Sequence, residues 1–181
     1  MQPWKHLKEP EVIKVGWRTL VRKTFERPDG IPAEYVTKDA LGERWAVIIA
    51  LTPDNQVIIA EQFRPGPEKI YQDLPGGQVN KDEDPQEAVS RELREEVGYV
   101  SADIELLGPT RNSYSNATGY YYIAKNCQLI HDQALDDGEF VNVKLISIDQ
   151  LFENARNADM SDPGALFFAY DILQKIKEDD A

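Results

Sequence analysis

Residues 77–99 read GQVNKDEDPQEAVSRELREEVGY, and this stretch decides the fold. Helix signals stand at both ends of Pro85 to Val97. Asp84 is a good N-cap, Pro85 suits the first helical position, Glu87 makes a near capping box, and Gly98 supplies the stop. Val89, Leu93 and Val97 recur every fourth residue, an apolar stripe that should face a core. Beside it, Glu92, Glu95 and Glu96 share one arc, since residues three and four apart are neighbours on a helix. Three carboxylates this close repel each other unless solvent separates them or a cation sits among them. A hard divalent ion is the natural counter-charge, because Mg²⁺ prefers carboxylate oxygen and retained water. Such an ion can bridge pyrophosphate oxygens, activate water and offset charge developing on phosphorus. Arg91, four residues before Glu95, is placed to orient that carboxylate and damp the repulsion. A solvated charged helix face is the ordinary alternative.

On the N-terminal side, residues 45–51 (WAVIIAL) form a continuous apolar run of strand length, which predicts a strand buried on both faces. Residues 57–63 (VIIAEQF) read as the next strand, followed by breaks at Arg64-Pro65-Gly66-Pro67 and Pro75-Gly76-Gly77. Further back, residues 18–27 and 33–38 flank Pro28-Asp29-Gly30 and predict a β-hairpin. It has few large aliphatics, so it is expected to pack against something else. On the C-terminal side, residues 103–107, 119–125 and 140–148 read as strands. Ser147 caps a short helix to about Ala155, and Asp162-Pro163 opens a last helix to about Lys177. Leu166, Tyr170, Leu173 and Ile176 should line the buried side of that helix. Strands and helices mix without regular βαβ alternation. The expected class is α+β, a mixed β-sheet sandwiched between helices, with an N-terminal β-hairpin subdomain over 1–40 and the main domain over 41–181.

Composition narrows the partners. The 181 residues carry a net charge of −12, with a single cysteine, Cys127, and two histidines, His6 and His131. An acidic surface repels phosphate backbones and anionic membranes, so neither nucleic acid nor membrane is expected as a partner. A compact polyanion such as a nucleotide remains compatible if a cation mediates. One cysteine excludes an intrachain disulfide and a four-cysteine zinc site. The N-terminus lacks the apolar run of a signal peptide, and the longest apolar run is far short of a membrane span, so a cytoplasmic protein is expected. The negative charge is concentrated: residues 77–99 hold seven acids against three bases, and residues 132–139 hold four acids and no base.

The segment 77–99 resembles the Nudix signature, G-x5-E-x7-R-E-U-x-E-E-x-G-U with U a bulky apolar residue. The matching positions are Gly77, Glu83, Arg91, Glu92, Leu93, Glu95, Glu96, Gly98 and, as a softer match, Tyr99. Seven fixed positions at roughly 6% each would coincide by chance on the order of 10⁻⁹ per start. Leu74-Pro75-Gly76 also fits the usual entry to the motif. The resemblance implies the Nudix fold and hydrolysis of a nucleoside diphosphate linked to another group. It implies that Glu92, Glu95, Glu96 and the Gly76 carbonyl hold Mg²⁺, with Mn²⁺ as a possible substitute. It also makes Glu96 and Arg91 catalytic positions, and has Glu83 assist through water or orient the loop.

The flanks are similar to the ADP-ribose and nucleoside diphosphate sugar pyrophosphatase branch. Glu61-Gln62-Phe63-Arg64 leads to the box through QDLPGG, and in that branch an Arg at the place of Arg64 commonly contacts the diphosphate. The N-terminal extension implies an exchanged, dimer-forming subdomain, hence a homodimer. Trp17, Tyr35 and Trp45 are conceivable base-stacking groups, with core packing as the commoner use of each. Glu139 is the candidate base that activates water, with Asp136 and Asp137 as fallbacks. The resemblance departs at Tyr114. ADP-ribose-specific members usually show Pro there, whereas a Tyr marks dinucleoside polyphosphate hydrolases. Tyr114 is thus a candidate substrate-binding residue, and a broad range that includes ADP-ribose and GDP-mannose fits better than strict ADP-ribose specificity. The expected reaction is metal-dependent hydrolysis to a nucleoside monophosphate and a sugar phosphate. The alternatives are a dinucleoside polyphosphate or nucleoside triphosphate hydrolase, and a non-catalytic nucleotide-sugar sensor.

Overall fold

The computed structural model describes residues 2–179. They fall into two compact units, bounded as Met1–Arg44 with Thr110–Thr118 and as Trp45–Pro109 with Gly119–Ala181.

In the first unit, the first strand of the expected hairpin is the centre of a four-stranded antiparallel sheet. Its strands are β1 (Lys5–His6), β2 (Glu11–Val15), β3 (Arg18–Glu26) and β4 (Pro32–Lys38). β4 pairs along one edge of β3, while β2 and β1 pair with successive stretches of the other. β1 and β2 escape a reading by periodicity because they are short and nearly all exposed, with no buried side to produce alternation. Asn116 ties residues 110–118 to β4: its amide donates to Thr37 Oγ1 at 2.9 Å, to the Lys38 carbonyl at 3.1 Å and to the Asp39 carbonyl at 2.8 Å.

The second unit is built on β5 (Arg44–Leu51), β6 (Val57–Arg64), β7 (Lys69–Asp73), β8 (Gly76–Gln78), α1 (Pro85–Val97), β9 (Tyr99–Val100), β10 (Asp103–Thr110), β11 (Thr118–Lys125), β12 (Gln128–Leu129), β13 (Asn142–Ile146), α2 (Ile148–Arg156) and α3 (Gly164–Asp179). The main sheet runs β10-β11-β5-β6-β13. β5 is buried on both faces, as its sequence predicts. Val47, Ile49 and Leu51 join the core under α2 and α3, while Ala46, Ile48 and Ala50 join the core under α1. The α+β class and the mixed sheet between helices stand as expected.

One detail of the sheet positions the site. β5 and β6 pair only through Ala50–Ile58 and Leu51–Val57, then part company. Beyond that point β8 pairs with β5 and β7 pairs with β6, and the chain crosses between them at Leu74-Pro75. The Ile48 N–H donates to the Pro75 carbonyl at 3.0 Å, anchoring the crossing. There is no room for a side chain: a Cβ on Gly76 would stand 2.4 Å from the Ala46 carbonyl oxygen.

The C-terminal reading needs two corrections. The strand expected over 140–148 is limited to Asn142–Ile146, because Ser147 already caps α2, accepting from the Gln150 N–H at 3.1 Å. Tyr170 is 52% exposed, and Ala165 and Ala169 complete the buried side with Leu166 and Leu173. The larger ring instead edges onto Phe152 of α2, 5.8 Å between centroids. No helix among the described residues is long and apolar enough to cross a membrane.

Candidate active site

The first turn of α1 is fastened from both directions. Asp84 accepts from the Gln86 N–H at 2.8 Å, and Glu87 accepts from the Asp84 N–H at 3.2 Å, a reciprocal capping box. Val89, Leu93 and Val97 are buried in the core under α1, and Tyr99 joins them as an apolar member, which accounts for the soft position of the motif. Burial of this stripe turns the neighbouring arc, Glu92, Glu95 and Glu96, towards the glycine crossing.

A cavity of about 290 Å³ lies there, lined by Gly76, Gly77, Glu92, Glu95, Glu96 and Glu139 among others. Glu96 is 7% exposed, and its carboxylate accepts from the Gly76 N–H at 2.9 Å. Burial pushes its carboxyl up to about 7; the Gly76 N–H and the charge of Arg64 oppose this, and Glu92 and Glu139 reinforce it. Burial also raises Glu92, against the pull of Arg91. Gly77 makes room for Glu92, since a Cβ there would stand 2.4 Å from Oε1.

Arg91 does more than its spacing suggests. Its guanidinium donates to both oxygens of Glu83 at 3.0 and 3.2 Å, to Glu92 at 2.7 Å, to Glu95 at 3.2 Å and to the Gln78 carbonyl at 3.1 Å. Glu83 above all, then Glu92 and Glu95, hold it more firmly protonated than a free Arg, and Arg91 in turn lowers Glu83. Glu83 also accepts from the Asn80 N–H at 2.8 Å, so the motif's loop and helix are joined through one guanidinium.

Glu139 comes from the acidic loop after β12. That loop caps the far end of α1: the Ala134 N–H donates to the Glu95 carbonyl at 2.8 Å, and the Gln133 amide to the Glu96 carbonyl at 2.6 Å and the Val141 carbonyl at 3.1 Å. Glu139 lines the cavity with Asp136 while accepting from the Asp136 N–H at 3.1 Å. Asp137 is not among the lining residues. Arg64, at the end of β6, donates through Nε to Asp73 at 2.6 Å.

Among the described residues, no three His, Cys, Asp or Glu side chains form a ready-made metal cage. The carboxylates are turned to Arg91 and to the Gly76 N–H instead. The donor chemistry nevertheless fits a hard divalent ion: five carboxylates, Glu92, Glu95, Glu96, Asp136 and Glu139, line the cavity beside one guanidinium, Arg91. Burial first, and then the charge of neighbouring carboxylates, raises Glu92 and Glu96.

Tyr114 belongs to the other unit. It is 61% exposed, and with Trp4, Lys23, Phe25 and Tyr35 it lines a separate cavity of about 330 Å³. Trp45 is a core residue, its ring edge-on to Tyr121 at 5.6 Å. Trp17 is 81% exposed, with the Arg18 guanidinium over its ring. The sequence reading missed Asp73, Gln133, Trp4 and Phe25. Asp73 stands inside QDLPGG but had no role assigned there, the other three lie outside the motif, and only long-range pairing brings each to its place.

Known proteins agree with this architecture. The methanol dehydrogenase activator of Bacillus methanolicus is 32% identical over 109 residues, 59% of either chain. The ADP-ribose pyrophosphatase of Bacillus subtilis (strain 168) is 24% identical over 118 residues, 64% of either chain. The chain thus spans about three fifths of the length of these relatives. The crystal structure of an ADP compounds hydrolase shares the fold with a TM-score of 0.78 at 20% identity, covering 97% of this chain and 96% of that one. A model of the NUDIX domain matches residues 42–166, and the chain therefore belongs to the Nudix family.

Proposed function

We propose that the protein hydrolyses the pyrophosphate bond of nucleoside diphosphate sugars of the ADP-ribose and GDP-mannose type, with Mg²⁺ or Mn²⁺, releasing a nucleoside monophosphate and a sugar phosphate. The observation that carries this reading is the carboxylate-lined cavity formed by the complete Nudix motif at the glycine crossing. The likeness to an ADP-ribose pyrophosphatase supports the substrate class.

Glu92, Glu95, Glu96 and the Gly76 carbonyl would hold the metal. When bound, it supplies charge to the diphosphate oxygens and acidifies water. Arg91 keeps Glu92 and Glu95 in place. Arg64 grips diphosphate oxygens, and Glu139 takes one proton as the water oxygen bonds to phosphorus and the bridging P–O bond breaks. Tyr114 is assigned to substrate binding through its ring face, and within its own unit it lines a cavity with Tyr35. The N-terminal β unit is assigned to forming a homodimer, the remainder to the hydrolase domain, and the compartment to the cytoplasm.

Incubating the protein and Mg²⁺ with ADP-ribose, GDP-mannose, diadenosine polyphosphates and nucleoside triphosphates, with products identified by mass, tests the reading. Cleavage of the first two alone is expected. Preference for diadenosine polyphosphates would favour the second reading, to which the exposed Tyr114 points. Binding of all without turnover would indicate a sensor. Glu95→Gln and Glu96→Gln should each lower turnover by about 10² or more while the fold persists. Near-normal activity in both would sink the metal assignment.

A further inference from the structure

Asp73 is a buried carboxylate that the reaction above does not use. It is 2% exposed at the end of β7, the last residue before the crossing that delivers Gly76. Its oxygens are shared between two directions. Oδ1 accepts from the Ser161 N–H at 2.7 Å, and Oδ2 lies 2.6 Å from Arg64 Nε and 3.3 Å from Ser161 Oγ. A carboxylate is seldom buried without such partners, and this one has a guanidinium on one side and the loop before α3 on the other.

The consequence lies in which edge of Arg64 is used. Only Nε is bonded; the two terminal nitrogens have no hydrogen-bond partner among the described residues, and the side chain is 38% exposed. A guanidinium is a rigid planar fork, so fixing Nε fixes the plane and direction of the edge formed by Nη1 and Nη2. That edge matches two oxygens of a phosphate. Asp73, which holds that fork, stands three residues before Gly76, whose N–H donates to Glu96 in the carboxylate cavity.

The geometry points to Asp73 as a positioning residue: it holds Arg64 by Nε, anchored in turn by Ser161, so that the Nη edge is presented ready-formed to the substrate's diphosphate. This rests on the reading of Arg64 as a diphosphate ligand. Asp73 touches no substrate and acts only through Arg64. It sets the orientation before binding, so its loss should appear mainly in KM, because an untethered Arg must be ordered by the substrate itself.

The test is a double-mutant cycle on ADP-ribose and GDP-mannose hydrolysis with Mg²⁺, using Asp73→Asn, Arg64→Ala and the double variant. Arg64→Ala should lower kcat/KM by about 10–100-fold, the range of a charge-assisted bond. Asp73→Asn should lower it by about tenfold, chiefly through KM, and should add nothing once Arg64 is gone. Arg64→Lys, a change at a half-exposed position, covers the case in which Asp73→Asn does not fold. It keeps the charge but loses the fork, and should fall nearly as far as Arg64→Ala. An additive double variant, or full activity in Arg64→Lys, overturns the inference while leaving the proposed function intact. An unchanged kcat/KM in Arg64→Ala, or no turnover by the unaltered protein, removes the reading beneath it and the inference together.

Discussion

Gly77 lies against the carboxylate of Glu92 with no space for a side chain between them: a Cβ on Gly77 would stand 2.4 Å from Oε1 and 2.6 Å from Cδ. The obstacle is the end of a flexible side chain, which can swing away at small cost to the fold. Gly77→Ala should therefore cost no more than about 1–2 kcal/mol, the bond from Arg91 to Glu92 that it displaces, and lower kcat by about 100-fold, the scale of a misplacement of one ångström at a reacting centre. Melting curves and steady-state rates on one preparation decide it. Unaltered kcat would mean that the position of Glu92 does not matter to turnover.

Glu96 gives a pH dependence with a defined sign. Burial raises its carboxyl to about 7 in the folded protein, above its ordinary value of 4.5, so the folded state binds the extra proton between those values. This contribution to stability is fully present below pH 4.5 and is lost as pH rises through about 7. The shift corresponds to on the order of 3 kcal/mol in the metal-free protein. Denaturant titrations in chelator should show wild-type stability falling across that window relative to Glu96→Gln. Added Mg²⁺ should offset the fall, because the cation binds the ionised carboxylate and its affinity rises with pH. Parallel wild-type and Glu96→Gln curves in chelator would remove the assignment of this burden to Glu96.

How far the sequence foretold all this depends on the range of the interactions. The limits of α1, its capping box and its buried stripe are local properties of residues 84–98, and each is where the residue types place it. The two-sided burial of β5 is equally local, being written in an unbroken apolar run. Other features follow from pairing across the chain. The splay of β5 from β6 depends on which strands enter between them, and nothing in LPGG alone announces it. Asp73 reads as one more polar residue before a turn, and becomes notable only when Arg64 and Ser161 close on it. Tyr170 fits the helical period, yet a ring is too large for the side that Ala165 and Ala169 fill.

Arg91 is the internal counter-charge of the motif. Removing it leaves Glu83, Glu92 and Glu95 without their shared cation. Breaking a buried pair costs about 3–5 kcal/mol, and since Arg91 is 26% exposed a loss nearer 2 kcal/mol is expected for Arg91→Ala in chelator. Arg91→Lys should recover little, because an ammonium cannot span both oxygens of Glu83 while reaching Glu92 and Glu95. Saturating Mg²⁺ should narrow the gap from wild type. Chemical denaturation of the three proteins with and without metal measures each part, and a gap that metal leaves untouched would show that Arg91 and the cation do not answer the same negative charge.

Gln133 makes a prediction that separates the placement of Glu139 from its chemistry. Its amide is the strap between the end of α1 and Val141, closing residues 133–141 into a loop that sets Glu139 at the cavity. Gln133→Ala removes both bonds from an exposed position and leaves the Glu96 carbonyl to water, so global stability should fall by no more than about 1 kcal/mol. Backbone hydrogen exchange over residues 132–141 should accelerate while α1 stays protected, and kcat should fall about tenfold as the loop spends less time in place. Glu139→Gln should do the opposite, lowering kcat by about 10² or more with exchange unchanged, because the loop is intact and only the proton acceptor is lost. If Gln133→Ala slowed turnover while exchange stayed at the wild-type rate, the strap would not be what holds Glu139. If Glu139→Gln kept full turnover, Asp136, which lines the same cavity, would be the next acceptor to remove.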